Sequence, residues 1–278
     1  VNQAITMSAR IDRNNAMDYE TLIFKTDGPI ATITLNRPDS ANALDVTMAR
    51  ELVDVSIRCD ESLDIRAVVI RGAGNLFCAG GDLSVFADAN EDAASVIKLM
   101  AGDFHMALSR FNRMNAPTIA AVNGTAGGAG FSLAVATDLA IAVDSAKFVM
   151  AYTNAGLSPD GSSSYFLPRR IGDRRTRELM LTNRVLSAQE ALDWGVINQV
   201  VNAEEFDDAV NKLATSLASG PTRAFGQVKA LLNASFDNGM ETQMEFETRG
   251  IADMVRTEDG KEGINAFLNK RKPEFKGR

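Results

Sequence analysis

Apolar and polar residues alternate in two short runs near the start of the chain, on either side of the turn-like segment 26–29. Alternation of this kind is typical of half-buried strands, so residues 19–24 and 30–35 are predicted to pair as antiparallel β-strands. Residues 46–59 then carry apolar positions at helical spacing, and residues 67–70 are a short apolar run typical of a buried strand. The pattern predicts two strands, a helix and a third strand.

Further along, apolar runs and helical stretches continue to alternate, joined by two glycine-rich loops. Residues 118–122 and 139–143 are predicted to be buried strands, and residues 93–111 and 131–137 are predicted to be helices. Strands joined by helical crossovers predict a mainly parallel sheet, so the predicted fold class is α/β. After residue 161, helical periods and caps predominate, in residues 174–181, 187–194, 204–218, 221–236, 242–257 and 261–269.

Three parts follow from this pattern. Residues 1–18 are polar without a period, which is typical of a mobile arm. Residues 19–203 hold the alternating strands and helices and are predicted to form the core. Residues 204–278 are predicted to be a helical segment whose apolar positions suit a contact between subunits. The only cysteines, Cys59 and Cys78, lie far apart, and we therefore expect a cytoplasmic protein.

The net charge of −7 and the single histidine exclude several kinds of function. Nucleic-acid-binding proteins usually present a basic surface to the phosphates, so no nucleic acid is expected as a partner. No apolar stretch is long enough to cross a bilayer, so no membrane partner is expected either. His105 has no evident partner in its amphipathic stretch, and we interpret it as a partly buried helix residue. A catalytic triad, a Cys-His pair and a metal site are therefore not predicted.

The two glycine-rich turns are the first candidates for chemistry. Residues 77–82 and 123–130 both follow a predicted buried strand, and the second turn leads into a helix. Free N–H groups in such turns can donate to an anion or to the oxygen of a polarised carbonyl. Either turn taken alone is interpreted as a tight turn, because glycine turns are common.

The two turns together, with their flanks, resemble the enoyl-CoA hydratase/isomerase family, also called the crotonase family. The resemblance covers nearly the whole chain from about Tyr19 onward. It implies an α/β fold with a ββα spiral core and a C-terminal helical oligomerisation segment, assembled as a homotrimer or a dimer of trimers. The segments that carry the resemblance are residues 33–38, 77–83, 123–130, 146–148, 156–160 and 266–268.

The resemblance also implies roles for individual positions. The substrate is an acyl-CoA, and coenzyme A enters as part of that substrate and not as a cofactor. The N–H groups of Gly81 and Ala129 correspond to the donors that hold the thioester oxygen. The positions that correspond to contacts with coenzyme A or the substrate are Arg37, Ala41, Ala79, Gly80, Asp82, Leu83, Gly128 and Tyr152.

Two departures from the family pattern bear on the reaction. Hydratases of the family use two glutamates to add water, and the corresponding positions here are Ser132 and Tyr152. Neither side chain can act as a carboxylate base, so efficient hydratase activity is not expected. We interpret Ser132 as a hydroxyl in a helical turn and Tyr152 as an aromatic residue of the pocket wall.

Asp160 is the remaining candidate carboxylate, and two interpretations of it stay open. It precedes a segment that begins a helix, so its spacing alone favours an N-cap. However, residues 148–160, 128–130 and 270–277 resemble the 1,2-epoxyphenylacetyl-CoA isomerase branch of the family. In that branch the matching aspartate is the acid/base group.

The resulting hypothesis is an acyl-CoA isomerase of fatty acid or phenylacetate degradation. Asp160 would move a proton on a 3-enoyl-CoA, or open a ring epoxide, while Gly81 and Ala129 stabilise the enolate. One alternative is an aromatic acyl-CoA dehalogenase in which Asp160 is the nucleophile and Tyr152 lines the ring pocket. Another is an acyl-CoA-binding protein without catalysis.

Overall fold

The computed structural model describes residues 19–278, so the predicted arm at residues 1–18 lies outside the described residues. Nine strands and eleven α-helices lie within that range. The strands are β1 Leu22–Asp27, β2 Ile30–Leu35, β3 Ala67–Gly72, β4 Thr118–Val122, β5 Ala126–Gly127, β6 Leu139–Val143, β7 Lys147–Val149, β8 Leu186–Ser187 and β9 Gln199–Val201. The helices are α1 Val46–Glu61, α2 Leu83–Asp88, α3 Ala93–Arg113, α4 Ala129–Ala136, α5 Ser163–Ile171, α6 Asp173–Thr182, α7 Ala188–Trp194, α8 Phe206–Ala218, α9 Thr222–Ala234, α10 Met240–Arg256 and α11 Glu258–Leu268.

Six strands form the main sheet in the order β1-β2-β3-β4-β6-β9. The first pair is antiparallel and every later pair is parallel, which confirms the predicted hairpin and the mainly parallel sheet. All five residues of β4 are buried, because helices and loops cover both faces of a parallel strand at the centre of a sheet. A second, small sheet joins β5, β7 and β8.

The boundaries of several predicted elements need correction. The first strand begins at Leu22 and continues to Asp27, because Thr26 and Asp27 pair with residues of β2. The turn is therefore shorter than the predicted segment 26–29. Helix α4 begins at Ala129, two residues earlier than predicted, since the end of the glycine-rich turn already forms its first turn. The short strands of the second sheet and β9 were not predicted as strands.

Helices pack against the sheet and against one another. Helix α1 begins where the Asp45 side chain accepts a hydrogen bond from the Met48 N–H, and it packs along α3. Helix α8 contacts β3 and β6, and its buried face includes Phe206 and Val210. Helix α8 thus packs on the core sheet. The division of the chain at residue 204 stays a prediction. No helix within residues 19–278 is long and apolar enough to span a membrane.

The two glycine-rich loops leave the main sheet at neighbouring points. Strands β3 and β4 are paired and parallel, so their carboxyl ends lie side by side. Asn123 joins the two exits, since its side-chain oxygen accepts from the Gly72 N–H at 3.0 Å and its amide donates to the Gly74 oxygen at 2.9 Å. Ligand sites of α/β folds lie at this edge of the sheet.

Candidate active site

The glycine-rich turns at residues 77–82 and 123–130 pack directly against each other. The Gly127 N–H donates to the Cys78 oxygen at 2.8 Å. A side-chain carbon added at Gly127 would lie 2.7 Å from the Ala79 oxygen, and one added at Gly130 would lie 2.3 Å from the Cys78 oxygen. The turns are glycine-rich because no side chain fits between their backbones.

Two backbone N–H groups at this contact lack an acceptor in the described part of the chain. Gly81 pairs with Leu44 in a parallel bridge in which Leu44 N donates to Gly80 O at 2.7 Å and Asp82 N donates to Leu44 O at 2.8 Å. The N–H of Gly81 itself therefore points away from Leu44. Ala129 is the first residue of α4, whose N–H groups have no partner within the helix.

The two turns bring the segments that carry these donors into contact. A carbon added at Gly80 would lie 3.6 Å from the Ala129 nitrogen, so the backbone next to Gly81 lies against the start of α4. The positive end of the α4 dipole adds to the field of the Ala129 N–H. An oxygen held here would meet N–H donors that are already oriented.

Asp160 does not cap the following helix with its carboxylate. The residue at the cap position is Ser162, and no side chain makes the capping hydrogen bond. Instead, Oδ1 of Asp160 accepts a hydrogen bond from the Tyr152 hydroxyl at 2.7 Å. The main-chain oxygen of Asp160 accepts from the hydroxyls of Ser132 and Ser163 at 3.0 and 2.9 Å. The side-chain N-cap interpretation is therefore wrong.

Ser132 and Tyr152 contact each other as well as Asp160. The Ser132 Oγ lies 3.0 Å from the Tyr152 hydroxyl oxygen and 3.2 Å from the Gly128 oxygen one helical turn earlier. The description of Ser132 as a helix-turn hydroxyl is correct but incomplete, and Tyr152 is more than a wall residue. Burial, and then the charge of Asp160, raise the pKa of Tyr152 far above its ordinary value, so the phenol stays neutral.

His105 belongs to this site, and the interpretation that it has no partner is wrong. Its Nε2 accepts a hydrogen bond from the Gly161 N–H at 3.0 Å and lies 3.9 Å from Oδ2 of Asp160. The second distance is too long for a hydrogen bond. His105 projects from α3, 56 positions before Gly161, and its side chain is about half exposed.

Apolar side chains of α2 and α3 border the donors. A carbon added at Gly81 would lie 3.7 Å from the Phe86 ring and 3.9 Å from the Met100 methyl group. A carbon added at Gly161 would lie 2.7 Å from the Phe104 ring. The site thus has an apolar wall on the side of residues 86–104.

The residues expected near coenzyme A lie on two adjacent segments. The Ala79 N–H donates to the Ala41 oxygen at 3.0 Å, and Ala41 adopts a left-handed conformation. The Arg37 guanidinium contacts the carboxylates of Asp82 at 2.9 Å and Asp45 at 3.2 Å. These contacts neutralise its charge and fix the loop. Leu83, the first residue of α2, is exposed.

Neighbouring hydrogen-bond donors stabilise the ionised carboxylate of Asp82. Burial raises the pKa of Asp82, but hydrogen bonds from Ser84 and from the Arg37 guanidinium outweigh burial and hold it below its ordinary value. Cys78 is not a nucleophile, because burial raises the pKa of its thiol to about 11. Across residues 19–278, no group of three or more His, Cys, Asp or Glu side chains could hold a metal ion.

Comparison with known proteins identifies the class and the family. The chain has the crotonase fold: an enoyl-CoA hydratase from Polaromonas sp. JS666 superposes with a TM-score of 0.87 at 33% identity, over 91% of this chain and 99% of that one. The sequence pattern of the enoyl-CoA hydratase/isomerase family matches residues 25–278. The protein belongs to that family, whose members are enzymes acting on CoA thioesters, and the predicted family and fold are confirmed.

Two relatives cover nearly the whole chain. The 1,2-epoxyphenylacetyl-CoA isomerase of Escherichia coli (strain K12) is 37% identical over 267 residues, which are 93% of this chain and 99% of that protein. A 4-chlorobenzoyl coenzyme A dehalogenase of Arthrobacter sp is 34% identical over 91% of this chain and 92% of its own. Relatives with different reactions are therefore similarly close.

Proposed function

We propose that the protein is an acyl-CoA isomerase in which Gly81 and Ala129 bind the thioester oxygen and Asp160 moves a proton on the acyl chain. The observation that carries the proposal is the placement of Asp160. Its Oδ2 accepts no hydrogen bond from residues 19–278, and its main chain is tied through Ser132 to the helix that begins with Ala129. A carboxylate oxygen thus stays open on a segment that is bonded to α4, the helix whose first residue supplies one of the two donors.

The reaction would proceed through a thioester enolate. Oδ2 of Asp160 takes a proton from the carbon next to the thioester carbonyl of a 3-enoyl-CoA, and the electron pair moves onto the thioester oxygen. The two N–H groups stabilise that oxyanion, and loss of one such donor typically costs about 3 kcal/mol in transition-state stabilisation. The protonated Asp160 then delivers the proton to the fourth carbon, so that the double bond moves next to the carbonyl. No cofactor takes part.

The surroundings of the site support an acyl-CoA over a polar substrate. Phe86, Met100 and Phe104 supply the apolar wall, which suits an acyl chain or a ring. We place coenzyme A along Ala41, Ala79, Asp82 and Leu83, with Gly80, Gly128 and Tyr152 beside the acyl group. Arg37 is expected to hold this loop rather than to bind phosphate, because two carboxylates already neutralise it.

The test replaces the acid/base group alone. Asp160→Asn should lower the rate of the double-bond shift in 3-enoyl-CoA by about 100-fold or more. Asp64→Asn, in an exposed turn before β3, is the matched control and should keep the parent rate. Undiminished turnover by Asp160→Asn would remove Asp160 from the mechanism. Tight acyl-CoA binding by the parent, without turnover of any substrate in a panel, would favour a non-catalytic binding protein.

One observation favours a second candidate function, an aromatic acyl-CoA dehalogenase. His105 Nε2 lies 3.9 Å from the open oxygen of Asp160, and a relative at 34% identity is such a dehalogenase. In this reaction Oδ2 would attack the ring carbon that carries the chlorine, and chloride would leave. Water would then hydrolyse the aryl ester and restore Asp160, and His105 Nε2 would take the water's proton after releasing the hydrogen bond from the Gly161 N–H.

A His105→Gln variant separates the two functions. The isomerase uses one base, so its rate should fall less than about tenfold in this variant. In a dehalogenase, the His105→Gln variant would form the aryl ester but would not hydrolyse it, so no product would be released. Chloride release from 4-chlorobenzoyl-CoA by the parent would establish the second function, and its absence, with an active double-bond shift, supports the first.

We further propose a homotrimer or a dimer of trimers, as the family resemblance implies. Helices α9 to α11 and the turn after α9 leave large apolar side chains exposed, and these suit a subunit contact. They include Leu232, Phe236, Met240, Ile251, Phe267 and Leu268. Light scattering should give the mass of a trimer or a hexamer, and a monomer would contradict this. Cytoplasmic location and a role in fatty acid or phenylacetate degradation stay part of the proposal.

A further inference from the structure

The two carboxylate oxygens of Asp160 have different surroundings. Oδ1 accepts the hydrogen bond of the Tyr152 hydroxyl at 2.7 Å. Oδ2 accepts none from any residue between 19 and 278, and the nearest basic nitrogen, Nε2 of His105, lies 3.9 Å away. That nitrogen already accepts the Gly161 N–H at 3.0 Å, so the lone pair of His105 is engaged and Nε2 carries no proton for Oδ2.

Tyr152 can hold Oδ1 but is a poor proton donor. Its phenol is kept neutral because burial and the charge of Asp160 both raise its pKa. On the other side, the fully buried Ser132 places its Oγ 3.0 Å from the Tyr152 hydroxyl oxygen. The same Oγ lies 3.0 Å from the main-chain oxygen of Asp160. Because the Tyr152 proton is donated to Oδ1, the single Ser132 proton goes either to the phenol oxygen or to this main-chain oxygen, and the Ser132 hydroxyl packs between the two.

We infer that Tyr152, held by Ser132, is a positioning residue that occupies Oδ1 of Asp160 and leaves Oδ2 as the oxygen that exchanges protons with the acyl chain. This inference rests on the proposed isomerase function. The hydrogen bond from the Tyr152 hydroxyl fixes Oδ1, so Tyr152 orients the carboxylate and directs Oδ2 toward the acyl chain.

The test measures kcat and KM of Tyr152→Phe with 3-enoyl-CoA as substrate. The variant loses the hydrogen bond that holds Oδ1 of Asp160. The kcat should fall about tenfold, since the carboxylate is less well oriented. KM should stay within about twofold, because the hydroxyl is engaged with Asp160 and Ser132. Tyr165→Phe is the matched control, as that half-buried ring packs under Arg169 and its hydroxyl has no partner among residues 19–278.

Ser132→Ala and Asp160→Asn distinguish failure of the positioning role from failure of the proposed function. Ser132→Ala should lower kcat by a smaller factor than Tyr152→Phe, and it retains the Cβ that packs near Gly161. If Asp160→Asn is inactive while Tyr152→Phe and Ser132→Ala keep the parent kcat, the positioning role is wrong and the isomerase proposal stands. If Asp160→Asn is fully active, the proposed function itself fails.

Discussion

The N–H of Ala129 can be removed without adding an atom to the site. Replacing Ala129 by its α-hydroxy acid changes one backbone amide into an ester, so the donor becomes an oxygen. The N–H of Ala129 has no acceptor in the described part of the protein, because it is the first residue of α4. The folded state therefore loses no hydrogen bond from this group.

The expected effect falls on the rate and not on stability. Losing one oxyanion donor removes about 3 kcal/mol of transition-state stabilisation, which lowers kcat for the double-bond shift on the order of 100-fold. The free energy of unfolding should change by no more than about 1 kcal/mol, since only the acceptor strength of the preceding carbonyl is reduced. Stopped assays of 3-enoyl-CoA conversion and urea denaturation measure the two quantities.

Ala49 supplies a control with the opposite expectation. Its N–H donates to the Asp45 oxygen at 3.0 Å in the first turn of α1. The same amide-to-ester change at Ala49 should lower the free energy of unfolding by about 1 kcal/mol and leave kcat unchanged. A parent-like kcat in the Ala129 ester would refute the assignment of its N–H to the oxyanion.

Three further predictions concern stability. Asn42→Ala should lower the free energy of unfolding by about 3 kcal/mol in urea denaturation, because the fully buried amide bonds three main-chain groups, of which the Arg37 N–H and the Ala73 oxygen would be left unpaired. Lys229→Met should cost about 3 kcal/mol in the same assay, because the buried ammonium lies 2.8 Å from the Asp138 carboxylate and bonds two carbonyl oxygens. A hydrogen bond from Arg271 lowers the pKa of Glu262 from 4.5 to about 2. Because the pKa of Glu262 is depressed in the folded state, its contact with Arg271, which holds the C-terminal segment on α11, should persist above about pH 4.5. It should be lost toward pH 2, as followed by amide hydrogen exchange. Unchanged stability in either variant, or docking independent of pH, would contradict these accounts.

Long periodic elements could be predicted from the sequence, and short ones could not. The apolar run of β4 and the helical spacing of α1 identify both elements, because each buries a continuous face. Strands β5 and β8 contain two residues each, and no period is visible in so short a segment. Their pairing with β7 is imposed by the packing of the loops and not by local pattern.

The candidate site shows the same limit more sharply. The glycines of the turns were informative because two backbones meet there and leave no room for a side chain, as at Gly127 and Gly130. Asp160 was recognisable from its flanking motif, although its spacing alone suggested a helix cap. His105 carried almost no signal, since it lies beside the buried stripe of α3 and its partner, Gly161, follows 56 positions later. Only the packing of α3 against the loop before α5 brings them together.

The central claim is that two backbone N–H groups meet at one oxygen of the substrate. The most direct measurement is a crystal structure of the protein with a bound acyl-CoA. It should place the thioester oxygen about 2.7–3.1 Å from the nitrogens of both Gly81 and Ala129, with Oδ2 of Asp160 facing the acyl carbons. A thioester oxygen bonded to neither nitrogen, with coenzyme A lying elsewhere on the protein, would contradict the account.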